Sequence, residues 1–381
     1  MSHVPYWRLS AFYFFYFSFV GAMAPYWGLY LKSLGFAAFE IGVLMSLLQV
    51  MRMFAPNVWG HLADRTGRRV AIVQTAALVC LIAYLGVFVD QSFWWMFAVM
   101  SLISFFWSAP LPLVEATTLT HLGERTERYG RIRLWGSIGF ILVVLGLGSA
   151  LDHYAVGLVP WVVLGLLIGI WLTSRLIPEA VVTHAGQAHT PLTEVLRRPQ
   201  VWALLAAAIL MAAAHGPYYT FFTIHLVEAG YSKTFAGWMW ALGVICEIGV
   251  FLLMPRVLRQ MRVETVFLLT LLTAALRFLA IGWWVDRLPV LIVAQALHAL
   301  SFGAYHAAAM ALVHRHFRGR IQARGQALYN SLAFGVGGTA GSLYAGAAWD
   351  GLGAAWSFSL GAGLAALAAV VFAWRGWKTG G

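Results

Sequence analysis

Charge is what this sequence lacks most. Charged residues make up 10% of its 381 positions and hydrophobic ones 61%, whereas a soluble domain is about a quarter charged and about half apolar. So little charge cannot clothe a water-facing surface. That excludes a soluble enzyme, a nucleic-acid-binding domain and a disordered chain. Cysteine is scarce too: Cys80 and Cys246 lie in separate apolar runs. They read as two small buried hydrophobes, with no disulfide framework, redox pair or metal spacing. A cleavable leader is also missing. The first apolar run, from Leu9 to Leu31, is longer than a signal-peptide core and has no evident small-residue cleavage site, so it reads as a first membrane-crossing helix.

What is present is a series of apolar runs long enough to cross hydrocarbon, which takes about 20 residues. Twelve are expected, at about 8–32, 38–59, 70–89, 92–120, 130–151, 157–177, 198–226, 234–255, 263–285, 289–313, 321–348 and 352–374. Acidic residues number 14 against 25 basic ones, for a net charge of +11. With the N-terminus placed in the cytoplasm, nineteen of the 25 fall in cytoplasmic segments and three (Lys32, Lys233 and Arg287) on the far side. The remaining three, Arg52, Arg133 and Arg277, lie inside spans. This asymmetry puts both termini in the cytoplasm and explains the basic balance without nucleic acid.

The halves look alike. Ala24-Pro25-Tyr26-Trp27 recurs as Gly216-Pro217-Tyr218-Tyr219, 192 residues on. Trp135-Gly136-Ser137 recurs as Tyr329-Asn330-Ser331 after 194, and Gly35-Phe36 as Gly230-Tyr231 after 195. A near-constant offset of half the chain argues for a duplicated six-helix unit, repeated in parallel. The expected organisation is an N-terminal bundle at 1–177, a cytoplasmic linker at 178–197 and a C-terminal bundle at 198–381.

Between spans two and three stands Gly60-His61-Leu62-Ala63-Asp64-Arg65-Thr66-Gly67-Arg68-Arg69. It reads as a tight turn whose glycines suit the backbone and whose Asp64 accepts bonds from arginines or faces a helix N-terminus. This segment resembles the G-x-L-x-D-R-x-G-R-R loop of the major facilitator superfamily. The resemblance implies an all-α membrane fold of twelve helices, in two six-helix bundles related by a pseudo-two-fold axis. It also implies a gating role for Gly60, Asp64, Arg65, Gly67 and Arg68. The matching loop of the second half, Pro255 to Arg262, keeps arginines but lacks the Asp and Gly.

Charges inside a bilayer are costly and are candidates for function by default. Here they are Arg52, Glu115, Arg133, Glu247 and Arg277, with histidines His215, His298 and His306. Gln49 and Arg52 share a helical face with Met45 and Pro56, and Trp27 and Tyr30 share one with Tyr16. Each aromatic stripe taken alone reads as packing; five charges in one bundle read as a hydrated cavity. Phe12-Tyr13-Phe14-Phe15-Tyr16-Phe17 with Pro25, and Val114-Glu115-Ala116 followed by Gly130-Arg131-Ile132-Arg133, resemble lactose permease, of the oligosaccharide:proton symporter branch. Pro5-Tyr6-Trp7-Arg8-Leu9 and Pro25-Tyr26-Trp27-Gly28-Leu29-Tyr30-Leu31 resemble the 3-phenylpropionate transporter family of that branch still more closely. The resemblance implies a substrate grip by Glu115 and Arg133, and it aligns Arg277 and His298 with coupling residues of the permease. Departures stand beside it: Ser301 occupies the permease's proton-carrying Glu position, His215 an Asp position, and Glu247 is displaced by about one turn.

The expectation is a proton-coupled symporter that takes up a small organic solute, an aromatic carboxylate first and a sugar or nucleoside second. Substrate contacts are expected from Glu115, Arg133, Arg52, Trp27, Tyr30, Gln49, His215, Tyr219 and Asn330, and proton coupling from Glu247, Arg277, His298 and Glu115. The partners are substrate, protons and the lipid bilayer of a bacterial inner membrane. No nucleic acid, cofactor, metal or enzymatic activity is expected, and the unit is a monomer. An exporter of drugs or amphipathic solutes is the alternative; it is disfavoured because span five has Gly136, Gly139, Gly146 and Gly148 but no proline.

Overall fold

In the bilayer a segment must pair its own backbone N–H and C=O groups, which a helix does alone. The computed structural model describes residues 4–180 and 193–376, and among the described residues every regular element is helical. Residues 181–192 of the expected linker, and Lys378, lie outside the described residues.

The spans are α1 (Tyr6–Ser33), α2 (Ala38–Thr66), α3 (Arg69–Phe88), α4 (Phe93–Leu122), α5 (Tyr129–His153), α6 (Leu158–Ser174), α7 (Pro199–Glu228), α8 (Lys233–Gln260), α9 (Val263–Trp283), α10 (Leu288–His316), α11 and α12 (Ala354–Gly376). Span α11 runs through three consecutive pieces, Gln322–Asn330, Ser331–Gly337 and Gly338–Leu352. Together these occupy the twelve expected spans in order.

Two local expectations change. The turn expected from Gly60 onward is helical as far as Thr66, and the connection shrinks to Gly67 and Arg68, with Gly67 at φ 66°. Charged residues end a run of hydropathy without ending a helix, and Thr66 Oγ1 adds a bond to the Leu62 carbonyl at 2.8 Å. Several spans expected to be continuous are interrupted. Span α4 breaks between Trp107 and Pro110 and α7 at His215, just before Pro217, where proline has no N–H to continue the ladder. Spans α10, α11 and α12 contain π-helical turns at Ala299–Ala304, Ser331–Gly337 and Phe372–Gly376, irregularities that recur at functional sites.

The chain divides into two compact units. Unit 1 comprises Met1–Phe36, Val50–Ala185 and Ser232–Trp238; unit 2 comprises Ala37–Gln49, Gly186–Tyr231 and Met239–Gly381. Within unit 1, α1 lies along α5 and α6; within unit 2, α12 lies along α9 and the first part of α7.

Each unit takes in the start of one span from the other sequence half, by the same device. In unit 1, Asp152 at the end of α5 accepts the Lys233 and Thr234 N–H groups at 2.8 and 2.9 Å. In unit 2, Asp350 at the end of α11 accepts the Ala38 and Phe39 N–H groups at 3.1 and 2.9 Å. These carboxylates satisfy the unpaired first-turn donors of α8 and α2. Close backbone approach accompanies both: a Cβ on Gly237 would lie 2.6 Å from the Val144 oxygen, and one on Gly42 would lie 2.5 Å from the Ser342 oxygen. Gly35 and Gly230, matched in the duplicated sequence, both adopt positive φ, 90° and 89°, at the ends of α1 and α7.

Candidate functional site

In unit 1 the chemistry gathers around the break in α4. Pro110 restarts the helix, and five residues on Glu115 accepts a hydrogen bond from Tyr129 Oη at 3.1 Å. Arg133, one turn further along α5, lays its guanidinium on the Phe17 ring 3.6 Å from the centroid and stands 5.8 Å from that of Tyr13. Gly136 makes room, since a Cβ there would come within 2.6 Å of Phe17 and 2.8 Å of the Arg133 guanidinium. Tyr13 pairs with Thr118 at 3.4 Å, and Tyr16 stacks on Trp107 at 4.2 Å. Glu115 and Arg133 are thus brought to one neighbourhood but are engaged separately, one by a phenol and the other by a ring face.

The other sequence-expected residues of the first half are distributed differently. Trp27 is fully buried, donates to the Met100 sulfur at 3.4 Å and packs on Tyr30 and Tyr84. Fourteen residues of helix, about 20 Å at 1.5 Å per residue, separate it from Tyr13, so the structure does not bring Trp27 and Tyr30 to the Glu115–Arg133 neighbourhood. Gln49 and Arg52, on one helical face in sequence, divide between the units: Arg52 belongs to unit 1, while Gln49 belongs to unit 2 and packs on Gly338. Asp64, Arg65 and Arg68 are exposed at the α2–α3 connection. Immediately after it, both carboxylate oxygens of Glu179 accept the Val70 N–H at 3.1 Å, which caps α3.

In unit 2 the break in α7 exposes the chemistry. Arg277 of α9 is wholly buried. Its guanidinium donates to the Ala294 carbonyl at 3.0 Å, to Gln295 Oε1 at 3.0 Å and, more weakly, to Ser301 Oγ at 3.5 Å. It stacks 4.1 Å from the centroid of Tyr218. All three acceptors are neutral. Gln295 is equally buried and saturated: its amide nitrogen donates to the Tyr218 hydroxyl at 3.2 Å and to the Met239 carbonyl at 2.9 Å.

Around this core stand aromatic walls. His298 stacks on Phe302 with planes 7° apart at 5.3 Å, and Tyr218 packs on Trp240 at 4.8 Å. His215 stacks on Tyr219 at 5.8 Å and meets the edge of Phe278 at 4.9 Å. Two buried imidazole nitrogens, Nε2 of His215 and Nδ1 of His298, have no hydrogen-bond partner among the described residues. An unpaired buried polar atom costs about 1–3 kcal/mol, which makes these two nitrogens candidate positions for a ligand. Glu247 of α8 runs beside α10, its Cγ 3.0 Å from where a Gly303 Cβ would stand.

Sequence reasoning thus named Arg277, His298, His215 and Tyr219, which the structure groups. Asn330 is not among them: it is exposed, while its neighbour Tyr329 is buried and donates to Tyr305 Oη at 3.2 Å. Gln295, Tyr218, Tyr129 and Phe17 were missed. Gln295 had a signal: an uncharged polar residue in an apolar run, one helical turn before His298.

Among the described residues the body is helical, with spans long and apolar enough to cross a membrane and charged and aromatic groups inside them, the build of an integral membrane protein. The chain belongs to the MFS_1 like family, whose model matches residues 6–360. It is 28% identical over 332 residues to the "Probable 3-phenylpropionic acid transporter" of Escherichia coli (strain K12), covering 85% of this chain and 86% of that one. It is also 28% identical over 334 residues to the maltose permease of Geobacillus stearothermophilus, covering 86% and 83%. The crystal structure of the nucleoside transporter NupG superposes with a TM-score of 0.86 at 18% identity, covering 98% of this chain and 99% of that one. The fold is therefore that of the major facilitator transporters.

Proposed function

We propose that this transporter carries an aromatic carboxylate of the 3-phenylpropionate class into the cell together with protons. It sits in a bacterial inner membrane with both termini cytoplasmic and works as a monomer. The observation that carries the reading is the unit 2 cluster. A buried guanidinium bonded, among the described residues, to neutral acceptors keeps a positive field, aromatic rings pack around it, and two imidazole nitrogens nearby have no partner among those residues. An aryl ring with a carboxylate matches that combination: rings stack on rings, and an anion is stabilised beside a cation in low dielectric. The relative named for 3-phenylpropionic acid supports the same class.

Arg133 and Glu115 of unit 1 serve as a second contact surface, the guanidinium on Phe17 having no carboxylate partner at ion-pair distance among the described residues. Arg52, Gln49, Tyr219 and His215 remain proposed substrate contacts, and Glu115, Glu247, Arg277 and His298 proposed participants in coupling. Asp64, Arg65, Gly67 and Arg68 act on conformational exchange at the α2–α3 connection. The test is accumulation of labelled 3-phenylpropionate in proteoliposomes under an inward proton gradient. Accumulation that persists with an uncoupler, without sodium dependence, overturns proton coupling.

A second reading has its own observation. The maltose permease is as similar in sequence, and Glu115 with Tyr129, next to Arg133 on a ring face, suits sugar hydroxyls. Uptake of maltose or a nucleoside in the same liposomes, with none of the aromatic acid, favours it.

A further inference from the structure

His215 stands at the break in α7, between the helical pieces Pro199–Ala214 and Gly216–Glu228. Its Nδ1 lies 2.8 Å from the Met211 carbonyl oxygen. A carbonyl only accepts, so Nδ1 carries the hydrogen of the neutral ring, and Nε2 is left as a lone-pair acceptor. That nitrogen is buried and has no donor among the described residues. The tautomer is therefore set by geometry, and Nε2 can accept a proton or a group that donates one.

The neighbours decide which. Tyr219 of the same span stacks on the ring; α9 contributes the Arg277 cation and the edge of Phe278; α10 contributes His298 and Phe302. The α8 carboxylate, Glu247, lies against Gly303 of α10. A proton alone on Nε2 would set an imidazolium beside Arg277 away from water, two like charges in low dielectric. A carboxylate alone would point its lone pairs at that of Nε2. Arriving together, the two form a charge-assisted N–H···O bond, and Arg277 then faces a net neutral pair. Each ligand raises the affinity of the other, and linkage makes the effect reciprocal.

We propose that Nε2 of His215 takes the coupling proton and that the carboxylate of the anionic substrate holds it there. The inference rests on the aromatic-carboxylate reading above and adds the seat of the proton. It also gives a reason for the carboxylate: without it the proton meets the like charge of Arg277, and without the proton the carboxylate finds no donor at Nε2, which couples their movement.

The test is calorimetry of 3-phenylpropionate binding to the purified full-length protein, in buffers of different ionisation enthalpy between pH 6 and 9. The wild type is expected to take up close to one proton per molecule bound. Where the free imidazole is neutral, affinity should fall about tenfold per pH unit. His215→Gln, which keeps a donor near Nε2 but does not titrate, should bind with affinity flat in pH and no proton uptake, while His225→Gln, at a histidine bonded to the Ile281 carbonyl, should keep the proton linkage. A spectrum of protein labelled with ¹⁵N-histidine supplies a readout that needs no variant: one ring should pass from the neutral to the doubly protonated form on addition of ligand. Binding by the wild type without proton uptake, linkage that survives in His215→Gln, or no change in any ring overturns this proposal alone. No binding of 3-phenylpropionate to the wild type overturns the substrate reading and this proposal with it.

Discussion

The two units each hold an arginine inside the membrane and treat it in opposite ways. Arg133 of unit 1 is half-buried, lies on the face of Phe17, and has its carboxylate neighbour Glu115 engaged by Tyr129. Arg277 of unit 2 is fully buried, bonded to a backbone carbonyl, an amide and a hydroxyl, and stacked on Tyr218. The first has donors to spare for a ligand. The second has each of its three guanidinium nitrogens engaged by the protein and contributes its field. A buried ion is stable only if its hydrogen-bonding positions are filled, so an arginine's availability is read from its partners and not from its presence in a span.

The largest effect expected from this contrast is on stability in unit 2. Arg277→Gln leaves the Ala294 and Gln295 acceptors without their donor and should cost about 3 kcal/mol or more. In a thermal melt of the purified protein the variant should lose far more than Arg133→Gln; equal losses would erase the distinction.

Next come the two carboxylate caps, which should behave alike although they lie in different units. Asp152→Ala and Asp350→Ala each strand two first-turn donors and should cost about 1–2 kcal/mol, with the two losses additive. Hydrogen exchange at the first-turn amides of α8 and α2 reads them separately. Faster exchange at α8 only in Asp152→Ala, and at α2 only in Asp350→Ala, is the expected pattern. Loss at both sites from either change contradicts independent caps.

Arg133→Gln should be mild in stability, about 0.5–1 kcal/mol, as suits a half-exposed cation on a ring. Substrate affinity should nonetheless fall roughly tenfold, the worth of one charge-assisted bond. A large melting shift with intact affinity would make Arg133 a packing residue instead.

The smallest number is the most pointed. Glu115 and Arg133 are not in ion-pair contact, so a double-mutant cycle with Glu115→Gln and Arg133→Gln should show a stability coupling within about 0.5 kcal/mol. A coupling several times larger would mean that the two close on each other and hold helices together.

Legibility in the sequence follows what each feature depends on. Apolar run length and the Lys/Arg asymmetry are one-dimensional, because the bilayer imposes one thickness and one polarity on every span. The twelve spans and the membrane class could therefore be read directly. So could the duplicated turns, since Gly35 and Gly230 stand at matched helix ends, where glycine accommodates the positive φ that the turn requires. Helix interruptions were harder. Proline marks Pro110 and Pro217 at breaks, but Pro25, Pro56 and Pro255 stand inside continuous helices, so neighbouring packing decides whether the missing donor ends the ladder.

The sequence by itself determined the environment of the protein: an all-helical membrane body and a short list of groups too costly to be in hydrocarbon without a purpose. Only tertiary structure decided what those groups do. It separated Glu115 from Arg133 in their bonding, sent Trp27 into packing, divided Gln49 from Arg52, and surrounded Arg277 with Gln295, Ser301 and Tyr218. It also left one nitrogen each of His215 and His298 without a partner among the described residues. The physical reason is that burial cost belongs to a residue and can be seen in its type, whereas the bonds that offset that cost come from residues tens of positions away and exist only once the helices have packed.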